Sequence, residues 1–434
     1  MTPRQLQKLD QELRTFVAEL IRGMGRPERR EAMQSYIYGL LLDGERKSME
    51  PIAARLVSDP SEVVAMRQRL QECISVSTWD EREIFRRLAL KLDAELPEVE
   101  ALVVDDTGFP KKGKASVGVA RQYSGTLGRV DNCQVATSLH LAGERGSGCI
   151  GLRLYLPSSW TDDRERCRRA HVPDTVEFEE KWRLALRLID DALAWGVRKH
   201  VVLADCAYGD VGDFRDALTQ RGLPYVLGVS CKLAIWPPGV DLSPPPRTPH
   251  TMGAPRLRPP DEIKPMSVLE AVQAQSRSAW RTVSWRDGSQ GKQSSRFLAM
   301  RVRLAHQGTR RSVREPQWLL AEWPRGEAEP TKFYLSNLPE NTSTRTLVRF
   351  AKLRWRVERD YQEMKGELGL DHFEGRFWSG FHHHAALVAL AHAFLSLQRT
   401  LFPPQDPTLD PTHGPTRPSA GPLVLDRLLS ALQA

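Results

Sequence analysis

The spacing of apolar residues changes twice along this chain, and each change predicts a change of architecture. At the start, Leu6, Leu9, Leu13, Phe16, Val17, Leu20 and Ile21 recur at steps of three and four, the spacing of one buried stripe on a helix. Similar stripes continue to about residue 96. Within them the run 51–56, the turn Ser58-Asp59-Pro60 and the run 61–74 match a helix-turn-helix, with Arg67 and Arg69 on the exposed face of the second helix. An ordinary helical hairpin fits the same pattern.

From residue 100 the apolar runs shorten and turn residues bound them. Runs 101–104, 134–141 and 149–156 predict a three-strand meander. A helix over 176–195, a strand over 201–204, a helix over 213–221 and a strand over 225–230 follow, an alternation typical of α/β folds. Pro237, Pro238, the run 244–246, Pro249, Pro255, Pro259 and Pro260 then exclude regular helix. Beyond this linker, alternating stretches at 297–304, 317–322 and 332–336 predict antiparallel strands. One long helix over 343–368 and another over 385–401 come next, then a mobile Pro- and Thr-rich tail with a short terminal helix over 423–432.

These readings divide the chain into a helical segment 1–96, the first part of an α/β core at 97–230, a β-rich insertion with a Pro-rich linker at 231–335, the second part of the core at 336–402, and the tail 403–434. A length of 434 residues supports several cores, and 41% hydrophobic with 27% charged residues excludes a disordered or fibrous chain. No apolar run is long enough to span a bilayer and the N-terminus lacks a signal-peptide pattern, so a cytoplasmic protein is expected. Six scattered cysteines without a Cys-x-x-Cys pair predict reduced thiols rather than a zinc knuckle or a disulfide framework. A formal charge of +8 suits a polyanionic partner.

Two of the predicted strands end in acid, one on Asp105-Asp106 and one on Asp205. A carboxylate at the carboxyl end of a core strand sits on rigid backbone and faces the crevice where α/β ligands bind. Each is also a natural residue to cap the following turn. A third acid, Glu358, has Arg354 four residues before it and Lys365 seven after, so a single helix would carry all three on one face. That line suits a metal held between phosphate-gripping cations, and equally a solvated face laced with ion pairs. Asp210 and Asp371 are weaker alternates.

The segment RWRVERDYQEMKGELGLDH resembles the glutamate-bearing signature of insertion-sequence DDE transposases, in which an Arg-Trp-x-hydrophobic-Glu run precedes a Lys by seven residues. Arg354, Trp355, Glu358 and Lys365 match it. DDTGFPKKGKASVGVARQYSGTLGRVDNCQVA and ADCAYGD resemble the same group, most closely insertion-sequence family seven-oh-one, and the likeness runs from about residue 30 to residue 400. One position departs: a Tyr that often stands three residues before the Arg is Ala351 here.

The resemblance implies an RNase H-like mixed α/β core, interrupted by a β-rich insertion between the second Asp and the Glu and preceded by a helical DNA-end-binding domain. It selects Asp106, the residue before Thr107, over Asp105. It further implies that Asp106, Asp205 and Glu358 hold two Mg2+ ions, with Mn2+ able to substitute, and that Arg354, Trp355 and Lys365 contact DNA. The implied partners are double-stranded DNA, namely terminal inverted repeats and target DNA, with a homodimer on paired ends. The basic loop of Lys111, Lys112 and Lys114, with Arg121 beyond it, would add backbone phosphate contacts. Trp285, Trp318 and Trp323 are residues able to stack on an unpaired base or to pack a core, and His382, His383 and His384 read as structural or DNA-facing. The implied activity is cleavage of element ends and strand transfer. A nuclease without strand transfer and a non-catalytic DNA-binding descendant are the alternatives.

Overall fold

Five helices open the chain, as the early periodicity predicts: α1 (Pro3–Leu20), α2 (Pro27–Leu41), α3 (Met49–Leu56), α4 (Val63–Gln71) and α5 (Glu81–Glu95). In this computed structural model, which describes residues 3–243, 259–260, 262–288, 291–305 and 315–401, Leu9, Leu13, Phe16, Val17 and Leu20 form the buried stripe of α1. Helix α2 starts with Pro27 in its first turn, where a missing N–H costs nothing, and Asp80 caps α5 by accepting from Arg82 N. The helix-turn-helix pattern resolves into α3, a 3-10 turn (Pro60–Glu62), α4 and a π turn (Glu72–Val76). Helix α3 packs tightly on α2: a Cβ on Gly39 would lie 2.3 Å from Ile52 Cγ2, so only glycine allows this approach. Arg69 is exposed, and the half-buried Arg67 donates to Gln71 Oε1.

A sheet follows, built from β1 (Val99–Pro110), β2 (Ala120–Ser124), β3 (Arg129–Gly143) and β4 (Ser147–Leu154). Strand β3 has β1 antiparallel along one edge, while β2 and then β4 pair along the other. The predicted meander is therefore present, with longer strands and one extra. Strand β2 escaped the sequence reading because its pattern is polar and partly exposed. Short helices α6 (Ser158–Thr161) and α7 (Arg164–Arg169) lead to α8 (Lys181–Trp195), which ends in a left-handed cap at Gly196, φ 101°. Helix α8 begins five residues later than predicted. Phe178, which is in phase with its stripe, lies in the non-helical segment before it and is 48% exposed.

Next come β5 (Val201–Ala204), α9 (Cys206–Gly209), α10 (Gly212–Gln220) and β6 (Tyr225–Val229), with β5 and β6 parallel. The insertion contributes a small pair, β7 (Ala234–Ile235) with β8 (Met266–Ser267), then α11 (Val268–Gln273) and the strands β9 (Arg281–Gly288), β10 (Gly291–Val302), β11 (Gln317–Trp323) and β12 (Lys332–Ser336). Strands β9 to β12 form an antiparallel run, and β12 pairs with β6, so the insertion continues the sheet begun by β5 and β6. Its core is Leu298, Leu319, Ala321, Phe333 and Leu335 over α11 residues Val268 and Val272. Helices α12 (Thr344–Leu353), α13 (Trp355–Gly366) and α14 (Trp378–Leu401) complete the chain. The predicted prolines from 244 to 255 and the tail 403–434 lie outside the described residues.

Contacts divide the chain into two units, Met1–Lys199 with Trp355–Ala434, and His200–Arg354. This division differs from the sequence boundaries, because residues 200–230 and 336–354 group with the insertion through the shared β6–β12 edge. The expected continuous helix over 343–368 is also corrected: it breaks at Arg354 into α12 and α13. Helix α12 buries Leu347, Phe350 and Leu353, whereas α13 buries Val357, Asp360, Tyr361 and Met364. The apolar step from Leu353 to Val357 bridges the break, so periodicity runs through it unmarked. Among the described residues no helix is long and apolar enough to cross a membrane.

Candidate active site

Strand alternation sends Asp105 and Asp106 to opposite faces of the first unit's sheet. Asp106 is paired in register with Thr137, and Thr137 Oγ1 donates to Asp106 Oδ1 at 3.0 Å. On that face Lys181, the first residue of α8, reaches Asp106 Oδ2 at 2.6 Å. Asp105 is paired with Ser138, whose hydroxyl lies 2.5 Å from Tyr361 Oη on α13. Both acids are half-buried, on a strand whose preceding residues, Ala101 to Val104, are fully buried.

Helix α13 is bolted to the same sheet. Lys365 Nζ donates to the Gly108 carbonyl of β1 at 2.8 Å, and Tyr361 Oη donates to the Asp105 carbonyl at 3.4 Å. Burial pulls the Lys365 amine down to about 8, with Asp371 opposing, and the amine lies over the rings of Phe109 and Tyr361. Between these contacts Asp360 is buried with His140 Nδ1 at 2.7 Å and the Ser147 hydroxyl at 2.6 Å. Burial opposes protonation of His140, but the neighbouring Cys149 and Asp360 outweigh it and raise the imidazole to about 10. Burial likewise opposes ionisation of Asp360, yet His140, His392 and Ser147 hold its carboxyl below the usual range. The pair is an imidazolium with a carboxylate. One turn away, Glu363 is held well below the usual range by His392, Arg399 and Arg359 against its own burial. Glu358, in the first turn of α13, is exposed. The helix is thus fixed by its buried face, and Glu358 stands on its exposed side.

In the second unit Asp205 follows β5 and caps α9, its Oδ1 accepting from Ala207 N at 3.0 Å. The turn it opens is tight: a Cβ on Gly209 would meet the Gly228 carbonyl oxygen of β6 at 1.8 Å. Asp210 Oδ1 accepts from Ser230 N, tying the far end of α9 to the end of β6. Arg354 belongs to this unit as the cap of α12, and its charge acts on Cys206, the neighbour of Asp205. Arg354 therefore does not share a helix with Glu358; only Glu358 and Lys365 do. Trp355 stands at the start of α13 with the Arg356 guanidinium 4.4 Å from its ring.

The DDE superfamily endonuclease family model matches residues 19–292. The chain belongs to that family. The matched range includes Asp106 and Asp205 and ends before Glu358. A protein of Microchaete diplosiphon, described as a probable transposase for insertion sequence element IS701, is 30% identical over 201 residues, 46% of this chain and 48% of that protein. The chain thus spans about half the length of the curated relative it matches.

Enzymes of this superfamily generally use divalent metal ions. Among the described residues no group of three or more His, Cys, Asp or Glu side chains is drawn together to hold a metal. The donor chemistry nonetheless suits one: Asp106, Asp205 and Glu358 offer only carboxylate oxygens, the ligands of a hard divalent cation. Lys181 on Asp106 Oδ2 shows that a positive charge is already accommodated at that carboxylate.

The basic loop of this DDE superfamily member splits in use. Lys111 Nζ is spent on the Phe373 carbonyl at 2.6 Å and its amine is lowered by burial, while Lys112, Lys114 and Arg121 are exposed. The tryptophans of the insertion are engaged within their own unit. Trp285 lies under Lys352 Nζ at 4.4 Å, and Trp318 and Trp323 donate to the carbonyls of Pro339 and Glu327. His382, His383 and His384 are buried in α14 and structural. His383 stacks on Trp79 at 3.7 Å, His384 Nδ1 meets Tyr36 Oη at 2.8 Å, and burial lowers all three, His384 to about 4. All six cysteines are free. Sequence reasoning missed Lys181, Asp360 and His140. Lys181 opens a predicted helix, and Asp360 falls on the apolar stripe between Val357 and Met364 as an acid with no partner near it in sequence, so only the register of β3 reveals the pair.

Proposed function

We propose that the protein is a DNA transposase of the DDE class, cleaving the ends of an insertion sequence and joining them to target DNA. The observation that carries this reading is the fixing of the Glu358 helix to the Asp106 strand through Lys365 Nζ and the Gly108 carbonyl, 2.8 Å. Helix α13 packs on the face of β1 that carries Asp105, and Lys365 ties it to the Gly108 carbonyl two residues beyond Asp106, so the acid-bearing end of the strand and the Glu358 helix are held as one piece, an arrangement suited to phosphoryl transfer. Asp205, on its own buried strand, is the third carboxylate in this proposal.

Asp106, Asp205 and Glu358 would hold two Mg2+ ions, with Mn2+ able to substitute; when bound, such ions activate an attacking oxygen and neutralise the leaving one. The chain's own residues do the rest. Lys181 and Thr137 orient the Asp106 carboxylate, and the buried Asp360–His140 pair sets the rotation of α13 and so the aim of Glu358. Arg354, Trp355, Lys112, Lys114 and Arg121 bind and orient the DNA backbone, and Lys365 acts mainly by holding the helix to the strand. Terminal inverted repeats are the substrate ends, and two copies of the chain bridge a pair of them.

The test incubates full-length protein with labelled terminal-repeat DNA and a supercoiled target plasmid in Mg2+ or Mn2+. Cut ends together with joined plasmid product are expected, and both are lost in Glu358→Gln. Cutting without any joined product would leave a nuclease and remove the strand-transfer reading. Activity unchanged by Glu358→Gln would remove Glu358 from the site.

A further inference from the structure

Three segments remote in sequence interlock on the first unit beyond the carboxyl end of β1. Arg166 of α7 donates from Nη2 to the Lys114 carbonyl at 3.0 Å and to the Val119 carbonyl at 3.4 Å, and its guanidinium lies 3.7 Å from the Trp160 ring. Val117 N donates to the Arg376 carbonyl at 3.2 Å, Trp378 N donates to the Ala170 carbonyl at 2.9 Å, and Phe377 stacks on His171 at 4.4 Å. Residues 111–121, 164–171 and 376–378 therefore make one continuous backbone platform.

Of its exposed charged side chains only Glu165 is acidic. Lys112, Lys114, Arg121, Arg168, Arg169 and Arg376 are all exposed, and segment 111–121 contains no acid. Most nearby carboxylates are committed: Asp163 caps α7, Glu165 pairs with Arg169, Asp131 with Arg129 and Glu374 with Arg46, which leaves Asp162 as the exposed acid beside α7. Among the described residues Lys112, Lys114, Arg121, Arg168 and Arg376 make no ion pair. Cations left without counter-charges on a braced surface favour a polyanion, since binding one releases its condensed counterions. Lys111 follows Asp106 by five residues of extended chain, a reach of roughly 16 Å. That is about five base pairs of duplex at ~3.4 Å each.

We propose that this platform, with Arg168 of α7 and Arg376 as cations not suggested by the sequence, docks the phosphodiester backbone of duplex DNA flanking the cleavage point. The proposal rests on the DNA-processing reading above and adds the surface that holds the flank.

The experiment measures binding of full-length protein to a labelled duplex as a function of KCl, for wild type, Arg168→Gln/Arg376→Gln, and Arg145→Gln. Arg145 is exposed in the β3–β4 turn, at the opposite end of the sheet, and serves as the charge control. With two phosphate contacts removed, the slope of log affinity against log salt should flatten by about 2, with at least tenfold weaker binding at low salt. Arg145→Gln should keep the wild-type slope, and thermal unfolding should match in all three. A wild-type slope in the double variant, or an equal flattening in Arg145→Gln, overturns the platform. Wild type that binds no duplex in a salt-dependent way overturns the DNA reading itself.

Discussion

Replacing Asp360 by Asn removes one charge and almost no volume from the most buried polar cluster of the first unit. The carboxylate accepts from His140 and from the Ser147 hydroxyl, and His392 Nε2 lies 3.7 Å away. The Asn leaves a buried imidazolium without its counter-ion, a loss that typically costs about 3–5 kcal/mol. The imidazole then folds neutral, and the pH dependence of stability changes with it.

His140 has its folded value raised from 6.5 to about 10, so its contribution is fully present below pH 6.5 and is lost as pH rises through 10. Between those limits the folded state holds one proton that the unfolded state has released. Linkage then makes this contribution a few kcal/mol at pH 7 and smaller at pH 9. Asp360, whose folded value is lowered, contributes above its ordinary value and loses that contribution only in acid, outside this window. The stability gap between wild type and Asp360→Asn should therefore shrink from pH 7 to pH 9 by the part of the His140 shift that Asp360, beside Cys149, supplies, on the order of 1–2 kcal/mol. Urea unfolding of both proteins at pH 7, 8 and 9 measures it, and the subtraction cancels every group the two share. A gap that stays constant or widens with pH would refute an imidazolium at His140, and a gap under about 1 kcal/mol at pH 7 would refute the buried pair as a structural element.

Four further outcomes follow from the same geometry. Asp106→Asn should abolish metal-dependent DNA cleavage while Asp105→Asn retains it, measured on one labelled substrate; the reverse would move the site to the α13 face of the sheet. Glu358→Gln should remove cleavage while circular dichroism shows the helices intact, and cleavage kept by the variant would remove Glu358 from the site. Lys365 has its folded value lowered to about 8, so the unfolded state binds more protons between pH 8 and the ordinary value of 10.5. Wild type should thus gain stability over Lys365→Met across that window, by as much as about 1.4 kcal/mol per pH unit in urea unfolding, and a flat difference would contradict it. Gly209→Ala would press a methyl into the Gly228 carbonyl and should destabilise by about 3 kcal/mol or more, with weaker cleavage because the turn after Asp205 moves; wild-type melting would show that this turn has slack.

How much of this was legible in the sequence depends on whether a residue's role is local. Strands β1, β5, β6, β10, β11 and β12 show as apolar runs, since a buried strand needs nothing distant to declare itself. Strand β2 and the start of α8 do not, because pairing to β3 organises a polar stretch and Phe178 imitates a helical stripe from outside the helix. The same limit governs the site. The acids Asp106, Asp205 and Glu358 stand at positions the pattern marks, whereas Lys181 and His140 act through partners 75 and 220 residues away.

The break at Arg354 changes what the glutamate signature means. Read on a single helix, its Arg, Glu and Lys form one charged line, three equivalent grips on one strand of DNA. With the break, Arg354 belongs to the unit of Asp205, and Lys365 is half-buried with its amine on the Gly108 carbonyl of the Asp106 strand. The conserved-looking spacing from Glu358 to Lys365 is then a mechanical requirement. Two turns of helix separate the exposed acid from the anchor on β1, and a spacing altered by one residue would rotate Lys365 by about 100° away from the Gly108 carbonyl while Asp360 and Tyr361 keep their partners. An alanine inserted between Met364 and Lys365 should accordingly weaken cleavage, while α13 persists by circular dichroism and the affinity for duplex DNA stays that of wild type; cleavage at the wild-type rate would show that the Asp360 and Tyr361 contacts aim Glu358 without Lys365, and weakened DNA binding would show that Lys365 serves the DNA directly.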